Sequence, residues 1–179
     1  MIKLVSALRR TFIATLLLPI FGLKARALRT IDGSAEVTPL TADLREHLAK
    51  NAATGSQLLN RYIEQRDQYR AVDIDQAIDR WRSTPEAERE SPEVVIESLG
   101  FVFGNLLVEK LGLEWQVYRD KSGVDLCVIH PQVFVVSFPH SAIYKAVAER
   151  RQGALEAVQN ALSEQVASSL ADPNARRRE

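Results

Sequence analysis

One long apolar segment, between Ser91 and Gly112, constrains the fold more than any other feature of the sequence. Ser91-Pro92-Glu93 is typical of a helix start. The serine hydroxyl can accept a backbone N–H of the first turn, and the first helical position does not need the N–H that proline lacks. The carboxylate of Glu93 is stabilised by the partial positive charge at the helix N-terminus. Glycine after the apolar run is typical of a helix end. The segment predicts a core helix of about five turns, buried on several sides. Its main apolar face comprises Val95, Leu99, Val102, Leu106 and Leu111.

Two glycines interrupt this helix. Gly100 and Gly104 lie four residues apart and therefore share one face. Each costs about 1 kcal/mol relative to alanine in a helix interior. We therefore expect a packing gain at this face, where the missing side chains let another backbone come close.

After Glu114 the hydrophobic period changes from helical to alternating, which predicts three strands. They are Trp115–Arg119, Val124–Ile129 and Val133–Phe138. The intervening Asp120-Lys121-Ser122-Gly123 is typical of a hairpin turn in which Gly123 adopts a positive φ. The third strand is apolar on both faces, which argues against an edge position, and Pro139 ends it. The sequence thus predicts a three-stranded antiparallel meander.

Helices are predicted before this sheet. Thr38-Pro39 supplies a cap and a first-turn proline for a helix that ends near Ala53. Gly55-Ser56 then separates it from a second helical run. Asp73 and Gln76 form a capping-box pattern for a short third helix.

Two more helices follow the sheet, after Pro139 and after Gly153. The last has a narrow apolar stripe, which could cover the domain or bind a protein partner. Its members are Leu155, Val158, Leu162, Val166 and Leu170. Together these patterns predict an α+β fold in one domain, residues 38–171, with a helical N-terminal half, a long core helix, a β-meander and C-terminal helices.

Residues 1–37 are predicted to be a basic, apolar N-terminal segment with a linker, and residues 172–179 a basic mobile tail. Bases precede the apolar stretch 11–23, and Ala25-Arg26-Ala27 follows it, as in a secretory signal peptide. The alternatives are an uncleaved anchor and an amphipathic helix that contacts a membrane surface through residues 1–29. Secretion, inner-membrane association and a cytoplasmic location all remain open.

The charge distribution argues against nucleic acid as a partner. Residues 1–31 contain six bases and no acid, whereas the whole chain has 23 of each, so the remainder has six more acids than bases. Nucleic-acid binding requires a concentrated basic face. The single cysteine, Cys127, excludes an internal disulfide framework. No sequence motif predicts a metal or another cofactor.

The candidate binding residues lie near the predicted rim of the sheet: Trp115, Asp125, His130, His140 and Lys145. Four of them also have a structural interpretation. Trp115 is typical of core packing, the two histidines of backbone caps, and Lys145 of a solvated helix face. Cys127 and His130 lie three apart on a strand, so they point to opposite faces and do not form a metal site.

The pattern Leu99-Gly100-x-x-x-Gly104, Leu113-x-Trp115, Gly123-x-Asp125 and Phe138-Pro139-x-x-x-Ile143-x-Lys145 resembles an uncharacterised bacterial family, a domain of unknown function. The resemblance covers residues 92–150. It marks Gly100, Gly104, Gly123 and Pro139 as structural positions, and it implies no activity or cofactor.

We therefore consider three functional hypotheses. The first is a non-enzymatic interaction or accessory protein, similar to an inhibitor or immunity protein, because catalytic motifs are lacking and the terminal helix is striped. The second is a hydrolase-type enzyme that uses the rim residues. The third is a soluble module held at the cell envelope by the N-terminal segment.

Overall fold

A computed structural model describes residues 29–31, 35–149 and 153–172. In chain order the elements are β1 (Arg29–Ile31), β2 (Ala35–Pro39), α1 (Ala42–Tyr62), α2 (Ala71–Ser83), a 3-10 turn (Glu86–Glu88), α3 (Pro92–Leu111), β3 (Glu114–Asp120), β4 (Gly123–Ile129), β5 (Val136–Ser137), α4 (Pro139–Glu149) and α5 (Ala154–Ala171). The predicted α+β class is confirmed. The signal-like stretch 1–28 and the tail 173–179 lie outside the described residues.

The sheet is antiparallel, and its strands follow chain order from β1 to β5. The predicted hairpin is present, since Asp120 pairs with Gly123 across a two-residue turn and Gly123 has a φ of 139°. The predicted linker 30–38 is wrong as a structural description, because β1 and β2 form there and β2 pairs with β3. Ala35 and Val37 are buried on one face of β2. Two alternating apolar residues are too few to identify a strand from the sequence.

The predicted break at Gly55-Ser56 is also wrong, because α1 runs through it without interruption. A β-carbon at Gly55 would overlap the Ser98 carbonyl oxygen and lie 2.5 Å from a Val102 methyl group on α3. The glycine therefore marks the crossing point of two helices. Thr41, rather than Thr38, caps α1, and its hydroxyl accepts the Leu44 N–H.

Helix α2 begins one residue after Arg70, so the predicted cap at Asp73 is wrong. Asp73 instead occupies the third helical position, where its carboxylate accepts the Arg70 backbone N–H at 2.8 Å. Arg70 and Arg66 form ion pairs with the same buried carboxylate. Burial raises the pKa of Asp73, but these hydrogen bonds and positive charges outweigh it and hold the pKa below its ordinary value.

Helix α3 is the predicted core helix. Ser91 caps it, Pro92 opens it and Gly112 ends it with a φ of 64°. Buried residues lie all round it, so neighbouring elements enclose it, as its composition predicts. The main core includes Leu59 of α1, Ile78 of α2, Phe103 of α3 and Val128 of β4.

The third strand differs most from its prediction. Only Val136 and Ser137 pair with β4, and β5 is the last strand of the sheet among the described residues, so the expectation that this strand is not an edge is wrong there. Val133 and Val135 are fully buried, whereas Phe134 between them is 49% exposed. The outward apolar face therefore lies at a sheet edge.

Helix α5 packs on the domain through the predicted stripe, with Leu155, Leu162 and Val166 buried. Asp75 of α2 caps the N-terminus of α5: its carboxylate accepts the N–H groups of Leu155 and Glu156 at 3.1 Å. Burial raises the pKa of Asp75 above its ordinary value, and these hydrogen bonds oppose the shift. Of the two roles predicted for the stripe, covering the domain is therefore the one seen for its buried members. Leu170, at the end of the stripe, is 40% exposed.

Candidate functional site

The five predicted rim residues lie in separate places. Trp115 and His140 meet over α3, with ring centroids 6.3 Å apart. His130 lies at one end of β4, and Asp125 lies about 16 Å along that strand. Lys145 is exposed on α4, and its position is about 140° round the helix from His140. The structure therefore forms no single catalytic cluster from these five side chains.

The His140 ring packs against Gly100, and the Trp115 ring packs against Gly104. A β-carbon at Gly100 would overlap the His140 imidazole, and one at Gly104 would overlap the benzene ring of Trp115. The predicted close approach at this face is therefore present, but side-chain rings make it rather than a backbone. The Trp115 indole N–H donates to Asn105 Oδ1 at 2.9 Å, so the buried polar atom of the ring is satisfied.

His140 is a neutral packing group at physiological pH. Desolvation lowers its pKa to about 4, a nearby His47 contributes in the same direction, and a hydrogen bond involving the Glu97 backbone opposes the shift. Phe101 packs edge-on against the His140 ring, with centroids 4.6 Å apart. An imidazole of such low basicity is a poor general base near pH 7.

His130 organises the turn before β5. Its Nδ1 accepts the backbone N–H groups of Gln132 and Val133 at 3.1 Å and 3.3 Å. Its own backbone N–H donates to the Val135 carbonyl oxygen at 2.9 Å. This is the backbone-capping role considered for it from the sequence, and it holds Val133 and Val135 in the core.

A cleft of about 260 Å³ lies beside Asp125, at the hairpin end of the sheet. We call it the edge cleft; its lining residues are Tyr118, Asp120, Ser122, Gly123, Val124, Asp125, Phe138 and Ser141. Small-molecule pockets usually measure roughly 300–1,000 Å³, so the cleft suits one side chain better than a drug-sized ligand. The Tyr118 and Phe138 rings meet edge-to-face at 5.1 Å on its wall.

The carboxylates of the edge cleft are held in place locally. Asp120 Oδ1 accepts the Ser122 N–H at 2.7 Å, and Asp125 Oδ1 accepts the Leu126 N–H at 2.8 Å. Of these lining residues only Asp125 was predicted as a binding residue, and nothing in the sequence indicated that Tyr118, Phe138 and Ser141 are its neighbours.

The outer edge of β5 continues this surface. The Val135 carbonyl points toward β4, where it accepts the His130 N–H. Backbone groups of successive strand residues point to opposite sides, so the N–H and C=O of Val136 point outward. No strand pairs with that side among the residues that the structure describes.

In the described parts of the chain, no three or more histidine, cysteine, aspartate or glutamate side chains are grouped so that they could hold a metal ion. No helix there has the length and apolar character needed to cross a bilayer. Cys127 is buried in β4.

No curated protein matches the sequence. A crystal structure of a protein from Bacteroides thetaiotaomicron VPI-5482 is similar in fold, with a TM-score of 0.51 and 15% identity. That match covers 73% of this chain and 48% of the other, so the chain spans about half the length of that protein.

A family model with the description "Domain of unknown function (DUF3806)" matches residues 73–158. The match runs from α2 into α5 and includes the residues 92–150 on which the sequence resemblance rests. It includes the edge strand and the edge cleft. Residues 73–158 are therefore similar to an uncharacterised family, the domain of unknown function DUF3806.

Proposed function

We propose that this chain is a non-enzymatic protein-interaction module that binds an extended segment of a partner along the outer edge of β5. The observation that carries the proposal is the exposed apolar edge itself. Phe134 is 49% exposed between two fully buried valines, and Val136 directs its backbone groups outward.

Natural proteins usually protect a sheet edge with charges, prolines or bulges, because an open edge pairs with other chains. The stretch from Val133 to Phe138 contains no charged residue and no proline. Within the described residues, the shortness of β5 is the one feature that limits pairing at this edge. An unprotected apolar edge supports strand addition, in which backbone hydrogen bonds give affinity and alternate side-chain contacts give specificity.

The enzyme hypothesis receives less support from the same geometry. His130 accepts two backbone N–H groups, and His140 is desolvated against α3. The Asp125 carboxylate accepts the Leu126 N–H, and Asp125 lies about 16 Å along β4 from His130. The envelope hypothesis depends on residues 1–28, which lie outside the described part of the chain.

Selection from a random twelve-residue phage-displayed peptide library, with the full chain as bait, tests the proposal. We expect the most enriched peptide to bind Val136→Pro at least tenfold more weakly than the wild type, because proline removes the outward N–H. Proline is tolerated at sheet edges where the N–H faces solvent. Val136→Thr is the matched control, since it keeps the N–H and the β-branched shape, and should bind within about twofold of the wild type.

A peptide-side experiment covers the case in which Val136→Pro fails to fold. Methylation of alternate backbone nitrogens of the selected peptide blocks the hydrogen bonds of one edge only. One methylation register should abolish binding and the other should preserve it. Failure to enrich any peptide, equal binding by both registers, or equal binding by a folded Val136→Pro variant would overturn the proposal.

A further inference from the structure

The sheet has two faces, and the described helices lie on one of them. Residues that pair across strands point to the same face, so Trp115 and Val128 share one face, whereas Gln116 and Cys127 share the other. Among the described helices, only α3 and α4 approach the strands. Both contact the Trp115 ring, and Val128 belongs to the main core. We call the opposite face, which includes Cys127, the far face of the sheet.

The far face is apolar and buried. Val37 lies on it, because Val37 pairs with Tyr118 and Tyr118 pairs with Asp125, two residues before Cys127. Its members that are at most 5% exposed are Ala35, Val37, Cys127 and Ile129. None of these four described residues belongs to the main core. A sheet face that meets water is usually polar, and an apolar face is buried by another layer of structure.

The layer on the far face comes from the chain itself, because the structure contains one chain. No described helix lies there, so the covering residues belong to stretches outside the described ranges. Residues 32–34 and 150–152 are short, and the tail 173–179 contains three consecutive arginines. Residues 1–28 alone combine length with apolar character, since the stretch 11–23 has no charged residue.

The position of β1 brings this segment close to the far face. β1 follows residue 28 and pairs with β2, which carries Ala35 and Val37. Residues 24–28 extend up to about 17 Å, and the distance from β2 to β5 is about 14 Å at three strand spacings. In helical form, residues 11–23 measure about 20 Å. The stretch 11–23 is therefore long enough to cross these four strands, and its connection to β1 reaches them.

We propose that residues 11–23 pack across the far face of the sheet as an intramolecular layer. They form a second apolar core with Val37, Cys127 and Ile129, on the other side of the sheet from α3. The outward N–H and C=O of Val136 stay open, because hydrogen bonds between strands lie in the plane of the sheet and the covering layer lies above it. The inference is thus independent of the proposed function, and either can fail alone.

Nuclear Overhauser spectroscopy of the full chain, labelled at isoleucine, leucine and valine methyl groups, tests the layer directly. We expect cross-peaks from Val37 and Ile129 to methyl groups of residues 11–23, and none from Val128, which faces α3. A mixture of two differently labelled preparations separates contacts within a chain from contacts between chains. Absence of the expected cross-peaks, or their presence only between chains, would overturn the proposal.

The single cysteine gives a second measurement, because Cys127 lies on the far face. The double variant Leu16→Asp, Leu17→Asp places two charges in the apolar stretch. We expect its thiol to react with N-ethylmaleimide at least tenfold faster than that of the wild type, since loss of the layer exposes the thiol.

The matched control is Lys3→Asp, Arg9→Asp, which adds two acids outside the apolar stretch and should react within about twofold of the wild type. Equal reaction rates for the wild type and the folded leucine variant would contradict the proposal. If the leucine variant does not fold, the cross-peaks of the wild-type chain decide.

Discussion

At the scale of single residues, the two glycines of α3 explain more than any charged side chain. Both lie against a ring, and a methyl group at either position would overlap that ring. Their spacing predicted a close contact on one face, which is confirmed. The sequence could not identify the contacting groups, because Trp115 and His140 reach α3 from a strand and a helix that follow it in the chain.

Gly104→Ala should destabilise the protein by roughly 1–3 kcal/mol, because overlap with Trp115 outweighs the helix-propensity gain of about 1 kcal/mol. Urea unfolding measures the change. Trp115→Phe removes the ring atoms that the new methyl group would meet, so the double variant should recover at least half of the loss. Additive effects in this double-mutant cycle would show that the indole is not the obstacle.

His140 should make stability depend on pH. The histidine pKa is 6.5 in the unfolded chain and about 4 in the folded chain. Between these values the unfolded state binds a proton that the folded state excludes, so the free energy of unfolding falls as the pH is lowered. We expect wild type to lose about 1–2 kcal/mol more than His140→Gln between pH 7 and pH 5. A His140 imidazole resonance that titrates near pH 6.5 would contradict this account.

At the scale of elements, helix ends are completed by residues from elsewhere in the chain. Asp75 of α2 binds the first N–H groups of α5, whose own cap residue, Gly153, has no side chain to offer. The sequence predicted α5 and its start correctly from periodicity and Gly153. It gave no indication of Asp75, because a cap that comes from some 80 residues away has no local pattern.

Asp75→Ala should destabilise the protein by about 1–3 kcal/mol, because the buried Leu155 N–H loses its acceptor. Amide hydrogen exchange should become faster at Leu155 and Glu156 than elsewhere in α5. Asp79→Ala on the same helix is the control, since Asp79 pairs with Arg82 near the surface and should contribute less than about 1 kcal/mol. Equal losses for the two variants would refute the capping role.

At the scale of the whole molecule, the sequence predicted the class, the core helix, the hairpin and the terminal helix. It did not predict that β1 and β2 extend the sheet on one side, which leaves β5 as the edge on the other. The apolar residues on both faces of Val133–Phe138 suggested burial on both sides. In the structure Val133 and Val135 are buried, whereas Phe134 points outward. Apolar residues on the second face of a strand fit either burial in the protein or an interaction surface, and sequence periodicity does not distinguish the two.

The candidate surface was predictable only in part. Asp125 was named from the sequence, but its neighbours Tyr118 and Phe138 join it through strand register, and register depends on the turn and on pairing partners far along the chain. The binding edge is a property of the complete sheet. It depends on which strand is last.

Hydrogen exchange of the free full chain, resolved at single amides by nuclear magnetic resonance, tests the open edge most directly. Ser137 pairs with Val128 inside the sheet, whereas the Val136 N–H points outward. The account predicts a protected Ser137 amide beside a Val136 amide that exchanges at least a hundredfold faster and becomes protected only when the selected peptide binds. A Val136 amide that is already as protected as Ser137 in the free chain would show that the edge is occupied, and would contradict the proposed function.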